Sequence, residues 1–134
     1  MVDSYRDLIA WNKAMDLVAE VYRVTACMPE AERFGLTSQL RRAAVSVPSM
    51  LAEGHARGST REFVRYVAMA MGSLAEIETQ LLICMKLEFA NETSIGCLLE
   101  QCDEQNRILR GLSKSLSQRL QQTHSSLAPR PSPL

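Results

Sequence analysis

Four stretches of this chain repeat apolar residues at alternating steps of four and three, the period of a helix with one buried face. In the first, from Tyr5 to Met28, the stripe is Trp11, Met15, Val18, Tyr22 and Thr25, and Pro29 and Gly35 bracket a loop after it. In the second, from Thr37 to His55, it is Leu40, Ala44, Val47 and Leu51, with Thr37 as the expected N-cap. Pro48 removes one intrahelical bond there, so the spacing predicts a single helix bent near it. The third begins at Ser59-Thr60-Arg61-Glu62, the form of a capping box, and carries Phe63, Val67, Ala70, Leu74, Ile77, Leu81 and Cys84 toward Glu88. Asn91 caps the fourth, whose stripe is Ile95, Leu98, Cys102, Gln105, Leu109, Leu112, Leu116 and Leu120.

No segment reads as a strand. Four amphipathic helices with short links predict an all-α protein, an antiparallel up-down four-helix bundle over residues 1–120. From Gln121 the stripe stops, and residues 121–134 hold three of the five prolines, so a disordered Pro/Ser-rich tail is expected there.

Two helices lack the solvated face that a lone bundle needs. From Ala43 through Ala52 no charge appears, and 67-VAMAMGSLA-75 is equally bare. On a wheel Leu40, Ala43, Ala44, Val47, Leu51 and Gly54 share one side of the second helix, while Arg42, Val45, Ser46, Ser49 and Ala52 take the other. A second uncharged side implies a second packing partner. The expectation is a closed homo-oligomer joined through Val45, Ser46, Ser49, Ala52, Ala70 and Ser73. The alternative is a monomer with a bland Ala/Ser surface.

Composition narrows the chemistry. A length of 134 residues suits one domain, and 46% apolar residues with only 5% aromatic predict a core of Leu, Val, Ala and Met. Fifteen basic residues balance fifteen acidic ones, so contact with a polyanion needs a local patch. Arg57, Arg61 and Arg65 form one candidate patch; Arg107, Arg110 and Lys114, followed by Arg119, form another. Cations in the last half of a helix also suit its dipole, so this run has a purely structural reading. Arg41 and Arg42 are expected near Ser73 and Glu76, either in an ion pair with Glu76 or Glu78 or against phosphate.

The N-terminus MVDSYRDLIAW has no apolar run, and no stretch approaches the roughly 18–20 apolar residues that span a bilayer. No signal peptide and no membrane partner are therefore expected. Cys27, Cys84, Cys97 and Cys102 contain no C-x-x-C pair and read as reduced thiols of a cytoplasmic protein. Neither metal, cofactor nor small-molecule substrate is expected. His55 falls in a turn and His124 in the tail; no carboxylate precedes a histidine by three; Cys97 and Cys102 stand about 140° apart on a helix. Glu76 and Glu78 point to different faces, and no phosphate-cradling glycine loop is present. These absences argue against an enzyme.

The run 34-FGLTSQLRRAAVSVPSMLAEG-54, with Trp11, Lys13-Ala14-Met15, Phe63, Gly72-Ser73-Leu74 and Glu78-Thr79-Gln80-Leu81, resembles a bacterial family. It is that of the four-helix-bundle proteins related to the protein encoded by intervening sequences in 23S rRNA genes, the S23 group. More remotely the chain is similar to the accessory variability protein of diversity-generating retroelements. The resemblance spans about residues 5–120 and implies an up-down bundle assembled as a ring-shaped homopentamer. It also implies a nucleic-acid role, since the retroelement relatives bind RNA and a reverse transcriptase. Ser49-Met50-Leu51 stands where Ser-Asn-Ile is usual, and Leu87-Glu88-Phe89 where Leu-Gly-Tyr is usual. The expected function is a non-catalytic oligomer binding structured RNA or DNA; the runner-up is a protein-interaction adaptor without nucleic acid.

Overall fold

The computed structural model describes residues 4–127, with side-chain environments for residues 4–122. Among these residues there are four α-helices, two single-turn 3-10 helices and no strand. The helices are α1 (Ile9–Thr25), α2 (Leu36–Ala56), α3 (Thr60–Lys86) and α4 (Glu92–Leu127), and the 3-10 turns are Tyr5–Asp7 and Glu30–Glu32. Each helix packs on its neighbour in sequence, and α1 also packs on α4, which closes a four-helix bundle.

The core is the set of stripes expected for α2, α3 and α4. Leu40, Ala44, Val47 and Leu51 are buried, as are all seven stripe residues of α3 and most of those of α4. The first helix differs. Its buried line is Ala10, Ala14, Leu17, Val21 and Thr25, while Met15 and Tyr22 are exposed and Trp11 and Val18 half-buried. For its first four members the expected stripe was thus set one residue, about 100°, off the true one. Both lines have helical spacing. Small Ala10 and Ala14 occupy the inner one because α4 lies close there: the buried Gln105 sends its Nε2 to the Ala10 carbonyl at 2.9 Å.

Three local signals also resolve. Ser59 Oγ accepts from the Glu62 N–H at 3.3 Å, and Asn91 Oδ1 accepts from Thr93 and Ser94 N–H at 2.8 and 3.2 Å, so both residues cap, although among the described residues Glu62 does not reach back to complete the box. Thr37 does not cap. It lies buried inside the first turn of α2, whose N-cap is Gly35, and Glu32 Oε1 accepts from the Leu36 N–H at 3.3 Å instead. α2 runs through the buried Pro48 without a break. Next to it Ser46 and Ser49 donate back to the Ala43 and Val45 carbonyls at 2.7 and 2.8 Å, so these hydroxyls find partners within the helix.

Two expectations need correction. α4 continues to Leu127, so residues 121–127 extend the helix rather than beginning a disordered tail. Nothing in QQTHSSL forbids helix; the first residue that does is Pro129, and the expectation for residues 128–134 lies outside the described residues. Second, α3 is long and apolar enough to cross a membrane by length and composition, which the expectation of no such stretch had missed. Its charged residues are Arg61, Glu62 and Arg65 in the first turns, Glu76 and Glu78, and Lys86 at the end, so the apolar window contains two carboxylates, and a third of it is buried inside the bundle.

The ends of α3 generate two predictions. Gly54 of α2 meets α3 so closely that a Cβ there would lie 2.5 Å from Tyr66 Cβ. Gly54→Ala should therefore lower unfolding free energy by about 1–3 kcal/mol through overpacking. At the other end Glu88 has φ 58°, with Phe89 N–H bonding the Cys84 carbonyl at 2.9 Å and Glu88 N–H the Met85 carbonyl at 3.2 Å. That is a Schellman stop whose left-handed residue is usually glycine. Glu88→Gly should raise stability by about 1 kcal/mol. Urea unfolding of both variants against the parent protein checks the two signs.

Candidate functional site

The adjacent arginines of α2 straddle it. Arg41 turns toward α1: its Nε donates to Thr25 Oγ1 at 2.9 Å, its Nη2 to the Tyr22 carbonyl at 3.4 Å, and its guanidinium lies 4.5 Å from the Tyr22 ring centre. This corrects the expectation that Arg41 would face α3. Arg42, about 100° further round, lines a groove of about 550 Å3 between α2 and α3 with Gln39, Ser46, Ser73, Glu76 and Gln80. Its neighbourhood is as expected, yet no ion pair joins Arg41 or Arg42 to Glu76 or Glu78 among the described residues. Glu78 instead sits half-buried, one carboxylate oxygen without a hydrogen-bond partner, on the side of α3 that reaches Cys102.

The outward side of α2 is flanked on its α1 side by an open apolar strip. One end is a pocket of about 350 Å3 between Trp11, Met15 and Val18 of α1 and Pro48 and Ala52 of α2. The other is a larger groove of about 690 Å3 with Tyr22, Phe34 and three arginines in its walls. Val45 and Ser49 belong to both. Val45 is 42% exposed and Phe34 88%. Of the residues expected at a subunit contact, Val45 and Ser49 are exposed, and Ser46, Ala52 and Ser73 are half-buried. Ala70 is wholly buried in its own core, so it has no surface to offer; it belongs to the inner stripe of α3. On the outer side of α3, Met69, Leu82 and Ile83 are exposed and Gly72 has open space around it. The α1 half of the strip and Phe34 were missed in the sequence. The clue was available: α1 has two apolar lines, and only one can face the core.

The candidate cations divide into tethered and free. Arg57 donates to Glu53 Oε1 at 2.9 Å and to Tyr66 Oη at 2.8 Å, and Tyr66 Oη donates to Glu53 at 3.1 Å. Hydrogen bonds from Arg57 first and Tyr66 second hold the Glu53 carboxyl below its ordinary 4.5. Arg57 is thus part of the α2–α3 corner. Arg65 lies 3.5 Å from Glu62, and Arg61 is exposed without an ion pair among the described residues. Arg107, Arg110 and Lys114 are all exposed on one face of α4, at steps of three and four, again without an ion pair among the described residues. After Glu104 no acid follows on that helix.

Among the described residues no three His, Cys, Asp or Glu side chains gather into a group that could hold a metal ion. Cys27 and Cys97 are exposed and line one cavity at the α1–α4 seam, while Cys84 and Cys102 are buried. Burial, helped by Glu78 and Asp103, pushes the Cys102 thiol up to about 12; burial also raises Cys84.

Comparison with known proteins places this bundle. The family model of the 23S rRNA-intervening sequence protein matches residues 6–111. The chain belongs to that family. A comparison with curated proteins returns no match. Among solved structures, a protein of unknown function from the S23 ribosomal protein family of Bacteroides thetaiotaomicron superposes with a TM-score of 0.71 at 17% identity, over 79% of this chain and 99% of that one. At that identity the likeness concerns the fold alone. For this member of the 23S rRNA-intervening sequence family, as for that neighbour, neither comparison supplies an activity.

Thiol chemistry gives a direct check on the geometry. In native protein Cys27 and Cys97 should react rapidly with an aromatic disulfide reagent at pH 8, while Cys84 and Cys102 stay protected. With burial pushing its thiol up to about 12, Cys102 should stay unreactive even when the pH is raised to 9. Unfolding in denaturant should release all four.

Proposed function

We propose that this protein is a non-catalytic, cytoplasmic homo-oligomer of up-down bundles that binds structured RNA or DNA through basic surfaces repeated around the assembly. The pairing of contacts supports the up-down course. Gln39 of α2 meets Gln80 of α3 while Glu53 meets Tyr66, and Ala10 and Lys13 of α1 meet Gln105 and Glu104 of α4. In each pair of helices one number rises as the other falls.

Two different apolar surfaces on one chain favour a head-to-tail contact, which closes into a ring when the rotation per subunit allows it. The Trp11–Met15–Val18 pocket on the α1–α2 side is one. Exposed apolar residues of α3, Met69 and Ile83 on one flank and Leu82 about 140° round from Met69, supply the other. A pentamer is the ring size that the resemblance to the S23 group implies.

The nucleic-acid reading is carried by the face of Arg107, Arg110 and Lys114, three exposed cations with no acid after them on the helix. In an up-down bundle the second half of α4 runs beside the first half of α3, which brings Arg61 and Arg65 to the same end. One such patch is modest, but copies around a ring release counterions together. A protein-interaction adaptor is the second reading, favoured by the open apolar strip.

Light scattering should give a mass several times the 15.0 kDa chain at micromolar concentration. A monomer would end the ring. Arg107→Glu with Arg110→Glu should weaken binding of a structured RNA or a DNA duplex at least tenfold at low salt and reduce the salt slope by about one per lost phosphate contact. Affinity that survives both changes, or that ignores salt, would favour the adaptor.

A further inference from the structure

We propose that the arginine-bearing end of the α1–α2 groove is a seat for one unstacked nucleotide of a single-stranded nucleic acid, with the base on Phe34 and the phosphate at Arg42. The proposal rests on the nucleic-acid reading above and adds a second site of different chemistry to it.

The groove measures about 690 Å3 and its lining includes Arg33, Arg41 and Arg42 but no acid, so its charge selects an anion. Its walls are also aromatic, from Tyr22 and Phe34. The Phe34 ring, 88% exposed, is the most exposed large apolar side chain among the described residues. It is not on a loose loop. The Glu30–Glu32 turn precedes it, Gly35 N–H bonds the Glu32 carbonyl at 3.0 Å, and Glu32 holds the first N–H of α2.

The three arginines have different duties. Arg41 is bound to Thr25 and Tyr22 and stacked on the Tyr22 ring, so it shapes the wall. Arg33 lies 5.2 Å from the Phe34 ring centre and 3.6 Å from Glu30, an exposed pair that an anion can replace. Arg42 has no ion pair among the described residues, and the Ser38 hydroxyl lines the same groove. Glu76 lies on the other side of Arg42, in the α2–α3 groove.

Only an unstacked base has a free face for such a ring, which excludes a duplex. An acidic peptide would satisfy Arg42 but leave the ring without a planar partner. An apolar helix from a second copy would cover the ring and bury Arg42 without a counter-charge, a costly arrangement.

The test is fluorescence anisotropy with a labelled single strand of about 12 nucleotides and a duplex of equal length, with light scattering on each variant. Phe34→Ala, at an exposed position that leaves the core intact, should weaken the single strand about tenfold, in the range of one lost stacking contact, and change duplex binding little. Arg42→Glu should do the same and lower the salt slope by about one. If Phe34→Ala leaves single-strand affinity unchanged while Arg107→Glu with Arg110→Glu lowers binding, the seat falls and the α4 surface stands. If the parent protein binds neither probe, both fall. If Phe34→Ala converts an oligomer to monomer, the groove is a contact between copies and the nucleotide seat is overturned.

Discussion

Gly54 lies where α2 and α3 come too near for any side chain: an added Cβ would meet Tyr66 Cβ at 2.5 Å and Phe63 at 3.2 Å. That approach sets the register of the hairpin on which the rest of the bundle is laid. With the turn held there, His55 meets Phe63 edge-on and Glu53, Arg57 and Tyr66 close a hydrogen-bonded triangle. The same register carries Gln39 to Gln80 at the far end, so the stripe of α2 and the stripe of α3 stay in step along their length. Its charged members, Glu53 and Arg57, are exposed while Tyr66 is buried, so the ion pair contributes little and the effect is mainly on geometry. Glu53 titrates below 4.5, so its contribution is complete at neutral pH and fades as the pH falls through its lowered folded value.

Once the hairpin is in register, α1 and α4 complete the core with different side chains on their inner lines. α4 supplies large residues, Ile95, Leu98 and Leu109, and one amide, Gln105. Gln105 gives its N–H to the Ala10 carbonyl but keeps a buried oxygen without a partner. α1 answers with Ala10 and Ala14, which let the helices close in, and with Leu17 and Val21; Trp11, Met15 and Tyr22 lie on its outer line. The apolar strip over Trp11, Met15 and Val18 is thus a consequence of core packing. It is also an exposed apolar surface of the kind that marks interaction sites.

The candidate surfaces differ in how visible they were. The cations of α4 were legible because exposure on a long helix follows from its stripe: once Leu109 and Leu112 face in, Arg107 and Arg110 face out. Arg57 and Arg65 looked equivalent to them, yet each is held by a neighbouring carboxylate one turn away or less, and only the fold shows Tyr66 reaching Arg57. Ala70 was placed at an interface because a run of small uncharged residues hides which of them faces the core. Phe34 opens the long motif that carries the family resemblance, but nothing local said that its ring stays in water.

By itself the sequence determined four helices, three of their four buried stripes, two of the caps and the family, because those follow from period, from short-range hydrogen bonding and from motif. Tertiary structure alone decided which of two apolar lines of α1 goes inside and which way Arg41 turns. Each of these depends on how close a neighbouring helix comes. That distance is set by the summed shapes of two surfaces and is not written in either one.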